Sequence, residues 1–500
     1  MKFLIASVCM ALSVLAFGQT TPLYKELYRP RFHFSPSVNW CNDPNGLVYN
    51  NGEYHLFYQY NPFGNVWGHM TWAHASSKDL LHWKHLPIAI AEEKDTMIFS
   101  GTCVVDKNNT SGFGKKGKAP MVAVYTGHIE NKNQSQHLAY SLDDGITWTK
   151  YNKNPILDLG KKDFRDPKIF WYAPKNYWVM ALMFPVEHYV QFYSSKNLKD
   201  WNHLSDFGPA GDTSGVWECP DLTQVPIEGG KGKNKWLLQM SMSGTMQYFV
   251  GEFDGVTFTN ENPLDKIYRP DYGPDYYAAI AYNQLPAAHL PTAIGWINNW
   301  NYANDIPTTP WKGAMSLPRT LSVKKINNEW ILIQKPIEKI KTQRKMIYKD
   351  FKVGFDGIMR LPVTSQQCEI DISLGFGKGN TGGVRIAAGH NHDIEIGYDA
   401  ARNVLYLDRS KTANQNFNKN FEKMTRYEIP YLPNGTAGNG INLQIFFDRS
   451  IVEVFVNNGE RVFTAQVFPD EKDNGIEIFS TSKTGSSVMH CYVYEIKSVW

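Results

Sequence analysis

The chain has 500 residues, 42% of them hydrophobic and 20% charged, with a net charge of +3 spread over both signs. That is enough chain to bury a sizeable core and to form two domains, and it argues against a disordered polymer. The mixed charge also argues against a nucleic-acid partner, because the short basic runs Lys115-Lys116-Gly117-Lys118 and Lys231-Gly232-Lys233 sit among glycines as solvated loops.

Met1-Lys2 opens an apolar stretch that reaches the small-residue pattern Ala16-Phe17-Gly18 before Gln19, so residues 1–18 read as a cleaved signal peptide. The run falls short of the roughly 20 residues that a spanning helix needs. No later segment is long and apolar enough to cross a bilayer, so a secreted chain, extracellular or periplasmic, with no membrane insertion of its mature part is expected. Cys9 leaves with the leader. The remaining Cys41, Cys103, Cys219, Cys368 and Cys491 are sparse and odd in number, which is no disulfide framework.

Downstream, aromatic and β-branched segments are broken by Asn-Gly and Asp-Gly turns, and no long helical period occurs. The fold class is all-β. Gly46 to Tyr58 reads as a hairpin turning at Asn51-Gly52, directly after an Asp-Pro. The layout returns at Asp166-Pro167 and more loosely at Glu218-Cys219-Pro220. Outer segments with an aromatic anchor close the units at Trp83, Trp148, Trp201 and Phe258. With Asp43, Ser100, Asp166, Glu218 and Asp275 leading the first strand of each unit, the spacing is about 52 to 66 residues, which suits four-stranded propeller blades with long loops. A five-bladed β-propeller over residues 25–330 is therefore expected. Residues 331–344 read as a charged linker. Residues 345–500, with alternating strands such as Gly383–Ala388 and Ile451–Val456, read as a C-terminal β-sandwich of structural purpose.

In a radial arrangement the residues that lead the innermost strands meet near the axis at one end, so three carboxyl groups, Asp43, Asp166 and Glu218, should converge there. Glycosidic bonds are broken by such groups, one ionised and one protonated. Like charges at a narrow axis drive one pKa upward. Glu218 is the acid candidate, because its side chain is long and Cys219 and Pro220 beside it bring no countercharge. Arg165 should hold Asp166 ionised, which suits a positioning role. Trp40, Trp67, Trp72, Trp296 and Trp300 fall near these strand starts, where an aromatic wall could receive a sugar ring. The run Gly389-His-Asn-His-Asp393 lacks further ligands at suitable spacing and reads as a loop, not a metal site.

The motifs Trp40-Cys-Asn-Asp-Pro-Asn-Gly46, Phe57-Tyr-Gln-Tyr-Asn-Pro62, Phe99-Ser-Gly101, Phe164-Arg-Asp-Pro167, Trp217-Glu-Cys-Pro220 and Phe447-Asp-Arg-Ser-Ile-Val-Glu-Val-Phe455 resemble glycoside hydrolase family 32, the group of invertases, levanases and inulinases. The resemblance covers almost everything after the leader; Cys41 departs from the apolar residue usual there. It implies that Asp43 is the nucleophile of a retaining reaction, Glu218 the acid and then the base, and Asp166 the transition-state stabiliser. It further implies that Asn42, Gln59, Trp67, Ser100, Arg165 and Trp300 line a fructose pocket, with Phe99 and Asp275 as additions. The nucleophile and acid should lie about 5 to 5.5 Å apart, with no metal or other cofactor. The stretch Trp67–His74 and the region Trp217–Leu222 resemble levanases and exo-inulinases more than plant invertases, so release of terminal fructose from levan or inulin, and cleavage of sucrose, is expected. An endo-acting enzyme is the alternative, and a fructan-binding protein without catalysis is the alternative of another class. Transfer of fructose to another sugar shares the same covalent intermediate. Nothing in the sequence marks an oligomeric state.

Overall fold

Strands occupy most of the chain in the computed structural model, which describes residues 23–500 except 116, 377–378, 434–438 and 482–485. The expected leader lies outside the described residues. Asn51 (φ 47°) and Gly52 (φ 88°) supply the left-handed backbone of the first hairpin, which joins Asn39–Asn50 to Glu53–Asn61.

Five sheets, each built on four antiparallel strands, follow one another around an axis. Their innermost strands are Asn39–Asn50, Met97–Val105, Arg165–Tyr172, Trp217–Pro226 and Tyr277–Ala281. The anchors Trp83 and Phe258 open the outermost strands of the first and fourth blades, and Trp201 immediately precedes that of the third. Closure is by a parallel pair, in which Trp311 and Lys312 lie against Asn39 and Trp40. Apolar faces of adjacent blades pack together, as where Val179, Ala181 and Met183 meet Leu238 and Met240 with no exposed surface. Each valine, leucine or methionine among them contributes about 1.5–3 kcal/mol by leaving water.

The expected linker is shorter than its charge indicates. Glu329–Pro336 pairs along its whole length with Arg319–Ile326 as the outer strand of the fifth blade, and Ile331, Leu332 and Ile333 are buried there. Only a 3-10 turn, Glu338–Gln343, separates it from the next strand, Arg344–Phe355. Of the lysines that read as a connector, Lys335 lies on this strand, whose apolar residues complete the blade, and Lys339 and Lys341 lie in the 3-10 turn. Two six-stranded sheets then form a sandwich around Ile370, Ile372, Ile394, Ile396, Ile445 and Val454, all buried.

Sandwich and propeller are joined by buried charge. Asp448 accepts hydrogen bonds from the backbone N–H groups of Arg31 (2.6 Å), Phe32 (2.9 Å) and His33 (3.1 Å). The His33 ring lies between two carboxylates, Nδ1 at 2.8 Å from Asp448 and Nε2 at 2.8 Å from Glu453. Glu453 also accepts from Leu317 N–H and pairs with Arg319, which reaches Asp271 at 2.9 Å. The Phe447–Phe455 motif is thus the plug that seats the sandwich on the propeller.

Burial opposes a charge on His33, but the two carboxylates outweigh it and push its pKa from 6.5 up to about 9. A raised folded-state value stabilises the fold fully below the unfolded value of 6.5, and that stability is lost as pH rises through about 9. Thermal unfolding of the wild type beside His33→Gln should therefore show a gap in Tm that is widest below pH 6.5 and narrows past pH 9. A gap constant across that range would contradict the assignment.

Candidate active site

All five innermost strands carry the same defect in their pairing. The register with the second strand slips between Cys41 and Pro44, Ile98 and Gly101, Arg165 and Lys168, Glu218 and Asp221, and Tyr277 and Ile280. Two residues bulge at each place: Asn42-Asp43, Phe99-Ser100, Asp166-Pro167, Cys219-Pro220 and Ala278-Ala279. A bulge re-aims side chains that a regular strand would send alternately to either face. The first bulged residue has left-handed φ in three blades, 65° at Asp166, 50° at Cys219 and 51° at Ala278, and such strain in non-glycine residues gathers at functional sites. Proline at the second position of two bulges has no N–H for the ladder to miss.

The bulges bring the carboxyl groups together at one end of the axis. Asp43 accepts from Asn42 Nδ2 (2.9 Å) on Oδ1 and from Ser100 Oγ (2.7 Å) on Oδ2. Asn42 is itself fixed by Trp40, whose Nε1 donates to Asn42 Oδ1 at 2.8 Å. Asp166 accepts from the backbone N–H of Cys219 at 3.0 Å, and the Cys219 thiol lies 3.5 Å from Asp43 Oδ2 and 3.7 Å from Asp166 Oδ2. Burial pushes the pKa of both aspartates upward, and neighbouring carboxylates add to it. Ser100 and Asn42 counter the shift at Asp43, and Arg165 counters it at Asp166.

Arg165 does not serve Asp166 first. Its Nε and Nη2 donate to Glu218 Oε1 at 3.1 and 3.0 Å and its Nη1 to Asp163 at 2.9 Å, whereas Asp166 is 3.9 Å away. The expectation that Glu218 stands without a countercharge is overturned by this geometry, because Arg165 starts its strand, ahead of the bulge that turns Asp166, and points across to the next blade; its charge still lowers the pKa of Asp166, but less than burial raises it. Tyr277 donates its hydroxyl to Glu218 Oε2.

Asp43, Arg165, Asp166 and Glu218 line a cavity of about 320 Å³ together with Asn42, Gln59, Trp67, Met70, Phe99, Ser100 and Trp300. Gln59 Nε2 is buried with no protein partner, a donor left for a ligand hydroxyl. Trp300 packs on Trp296 (4.8 Å between ring centroids) and Trp40 (6.0 Å), and Phe99 stacks on His128 at 4.4 Å. The cavity has polar groups on its floor and aromatic walls, as sugar-binding sites need.

Every expected pocket residue except Asp275 is brought to this cavity. Asp275 is fully buried at the domain boundary, paired with Arg409 at 2.9 Å and accepting from Tyr302 and the N–H of Gln466. It precedes the fifth inner strand by two residues, and the position matching Arg165 and Glu218 belongs to Tyr277. Tyr277 and Met70 were not read from the sequence; aligning the five bulges would have found the first, and no signal marks the second. Cys41, Cys103, Cys219, Cys368 and Cys491 are free and buried. The Gly389–Asp393 run does turn between strands, and His392 pairs with Asp473 at 2.7 Å. With Asp470 these form the one group of three potential metal ligands among the described residues, on the sandwich and outside the cavity.

Comparison with known proteins agrees with this arrangement. The profile of the glycosyl hydrolases family 32 N-terminal domain matches residues 33–336, and that of the family 32 C-terminal domain matches residues 335–495. A levanase of Bacillus subtilis (strain 168) is 41% identical, over 99% of this chain and 74% of its own length. An extracellular exo-inulinase of Aspergillus ficuum is 40% identical, over 95% of this chain and 96% of its own. Among solved structures, exo-inulinase from Aspergillus awamori has a TM-score of 0.90 at 38% identity, covering 95% of this chain and 100% of that one. Fructofuranosidase from Schwanniomyces occidentalis, solved with fructose, has a TM-score of 0.85 at 30% identity, covering 96% and 100%. With both family domains matched end to end and the carboxyl groups gathered at the axis, the chain belongs to glycosyl hydrolase family 32.

Proposed function

We propose that this chain is a secreted, exo-acting, retaining β-fructosidase that releases terminal fructose from levan or inulin and also splits sucrose. The observation that carries the reading is one cavity of about 320 Å³ that gathers Asp43, Asp166 and Glu218 with Trp67, Phe99 and Trp300. A cavity of that kind receives a chain end, and relatives at about 40% identity are named levanase and exo-inulinase.

In the first step an Asp43 oxygen attacks the anomeric carbon of the terminal fructose. The bond to the leaving oxygen breaks, and Glu218 gives that oxygen its proton, leaving a fructosyl ester on Asp43. Water then attacks the same carbon, returns a proton to Glu218 and frees the Asp43 carboxylate. Asn42 and Ser100 hold the Asp43 carboxylate in place and favour its ionised form against burial. Asp166 and Gln59 reach for fructose hydroxyls, and Arg165 lends positive charge to the site as proton and charge move through it. As an acceptor from Arg165 and Tyr277, Glu218 is arranged here as the base of the second step. Tyr277 can also accept, so turning its hydroxyl serves the protonated acid.

Chromatography of early digests of levan and inulin should show fructose alone from the wild type and none from Asp43→Asn; oligosaccharides at the outset would replace the exo reading with an endo one, and no product from either polymer or sucrose would leave a binding protein. Removing the Tyr277 hydroxyl in Tyr277→Phe deprives Glu218 of a hydrogen bond worth about 1.5–3 kcal/mol, so kcat should fall about 10- to 100-fold. A change confined to KM would show that Tyr277 acts only in packing.

A further inference from the structure

The segment after the second strand of blade one, residues 62–70, lies on the face of the propeller that carries the cavity, because that strand runs antiparallel to the inner one and ends where the inner one begins. Three of its residues leave large apolar side chains in water: Phe63 is 74% exposed, Val66 48% and Trp67 40%. Single exposed apolar residues are ordinary, but three within five positions beside a binding cavity are not.

This segment is also fixed. Asn39 Nδ2 donates to Pro62 O (2.9 Å), Trp40 N–H to Gly64 O (3.0 Å) and Asn61 Nδ2 to Val66 O (2.9 Å). Phe63 N–H donates to Asn61 Oδ1, and Trp67 N–H to Asn304 Oδ1, each at 2.9 Å. The Phe63 ring meets the edge of His69, 5.1 Å between centroids at 82°, and His69 is held by Glu92 at 2.8 Å. Holding an exposed aromatic residue in a set orientation contributes nothing to the core, and it does prepare a surface for a ligand with an apolar face.

We propose that Val66 and then Phe63 continue the wall begun by Trp67, Val66 meeting the second and Phe63 the third fructosyl unit of a polymeric substrate, outside the cavity that takes the terminal one. This rests on the fructosidase reading above and adds to it a preference for chain length. Furanose rings present C–H faces that pack on aromatic and aliphatic surfaces, while sucrose, with one ring beyond the cavity, is too short to span the strip.

The test compares Phe63→Ala and Phe63→Trp with wild type on sucrose, on a four-unit fructan oligosaccharide and on inulin and levan. For Phe63→Ala, KM for oligosaccharide and polymer should rise about 5-fold or more, in line with the energy of one aromatic contact, with kcat and the sucrose constants within 2-fold of wild type. Phe63→Trp should restore KM. Equal effects on sucrose and polymer, or no effect on either, would overturn the strip while leaving the fructosidase reading intact. A wild type inactive on all these substrates would instead remove the reading on which the strip rests.

Discussion

Three carboxyl groups share one desolvated end of the propeller axis, and their mutual repulsion sets the terms for everything around them. Burial and the neighbouring carboxylates push Asp43 and Asp166 toward their protonated forms, whereas a nucleophile must be ionised. The surroundings divide them. Asp43 receives neutral donors, Asn42, Ser100 and the Cys219 thiol, while the Arg165 guanidinium is aimed at Glu218 and only approaches Asp166. Distinct roles thus arise from distinct partners within one small volume, as they do wherever paired carboxyl groups carry out acid and base chemistry.

Placing those partners requires the repeated bulge. A regular inner strand would send alternate residues to the axis-facing and blade-facing sides, so Asn42 and Asp43, or Arg165 and Asp166, could not both face the site. The slip in register lets neighbouring residues do so, and the left-handed φ at Asp166 and Cys219 is the backbone strain it carries. Rigidity is supplied from outside. The packed blades and the buried ion pairs from Asp271 through Arg319, Glu453 and His33 to Asp448 brace the propeller against the sandwich. Removing one member of such a network leaves an unpaired buried charge, which costs more than the pair contributes.

Much of this was legible in the sequence, and the failures have physical causes. Strand alternation, turn residues and the spacing of Asp-Pro and Glu-Cys-Pro starts gave five blades and the three carboxyl groups. Asp275 was misplaced because a spacing of leading residues cannot register a bulge: counted by residues it leads the fifth unit, counted by pairing Tyr277 does. The pairing of Arg165 with Glu218 was missed because adjacency in sequence says nothing about a side chain long enough to reach the next blade. The Glu329–Pro336 strand was hidden by Lys335 and the charged residues that follow it, while Ile331 to Ile333 fill the last blade. The Phe447–Phe455 motif was visible as a pattern, but its docking function depends on contacts more than 400 residues away, such as Arg31 with Asp448.

The claim that Asp43 forms a covalent fructosyl intermediate, released with Glu218 as base, is tested most directly by the stereochemistry of transfer. With sucrose as donor and methanol present as a second acceptor, the product can be isolated and its anomeric configuration read by nuclear magnetic resonance before any mutarotation, since a methyl glycoside does not open. Two displacements at one carbon predict methyl β-fructofuranoside alone. Methyl α-fructofuranoside would contradict the account, because a single displacement leaves no role for Asp43 as nucleophile.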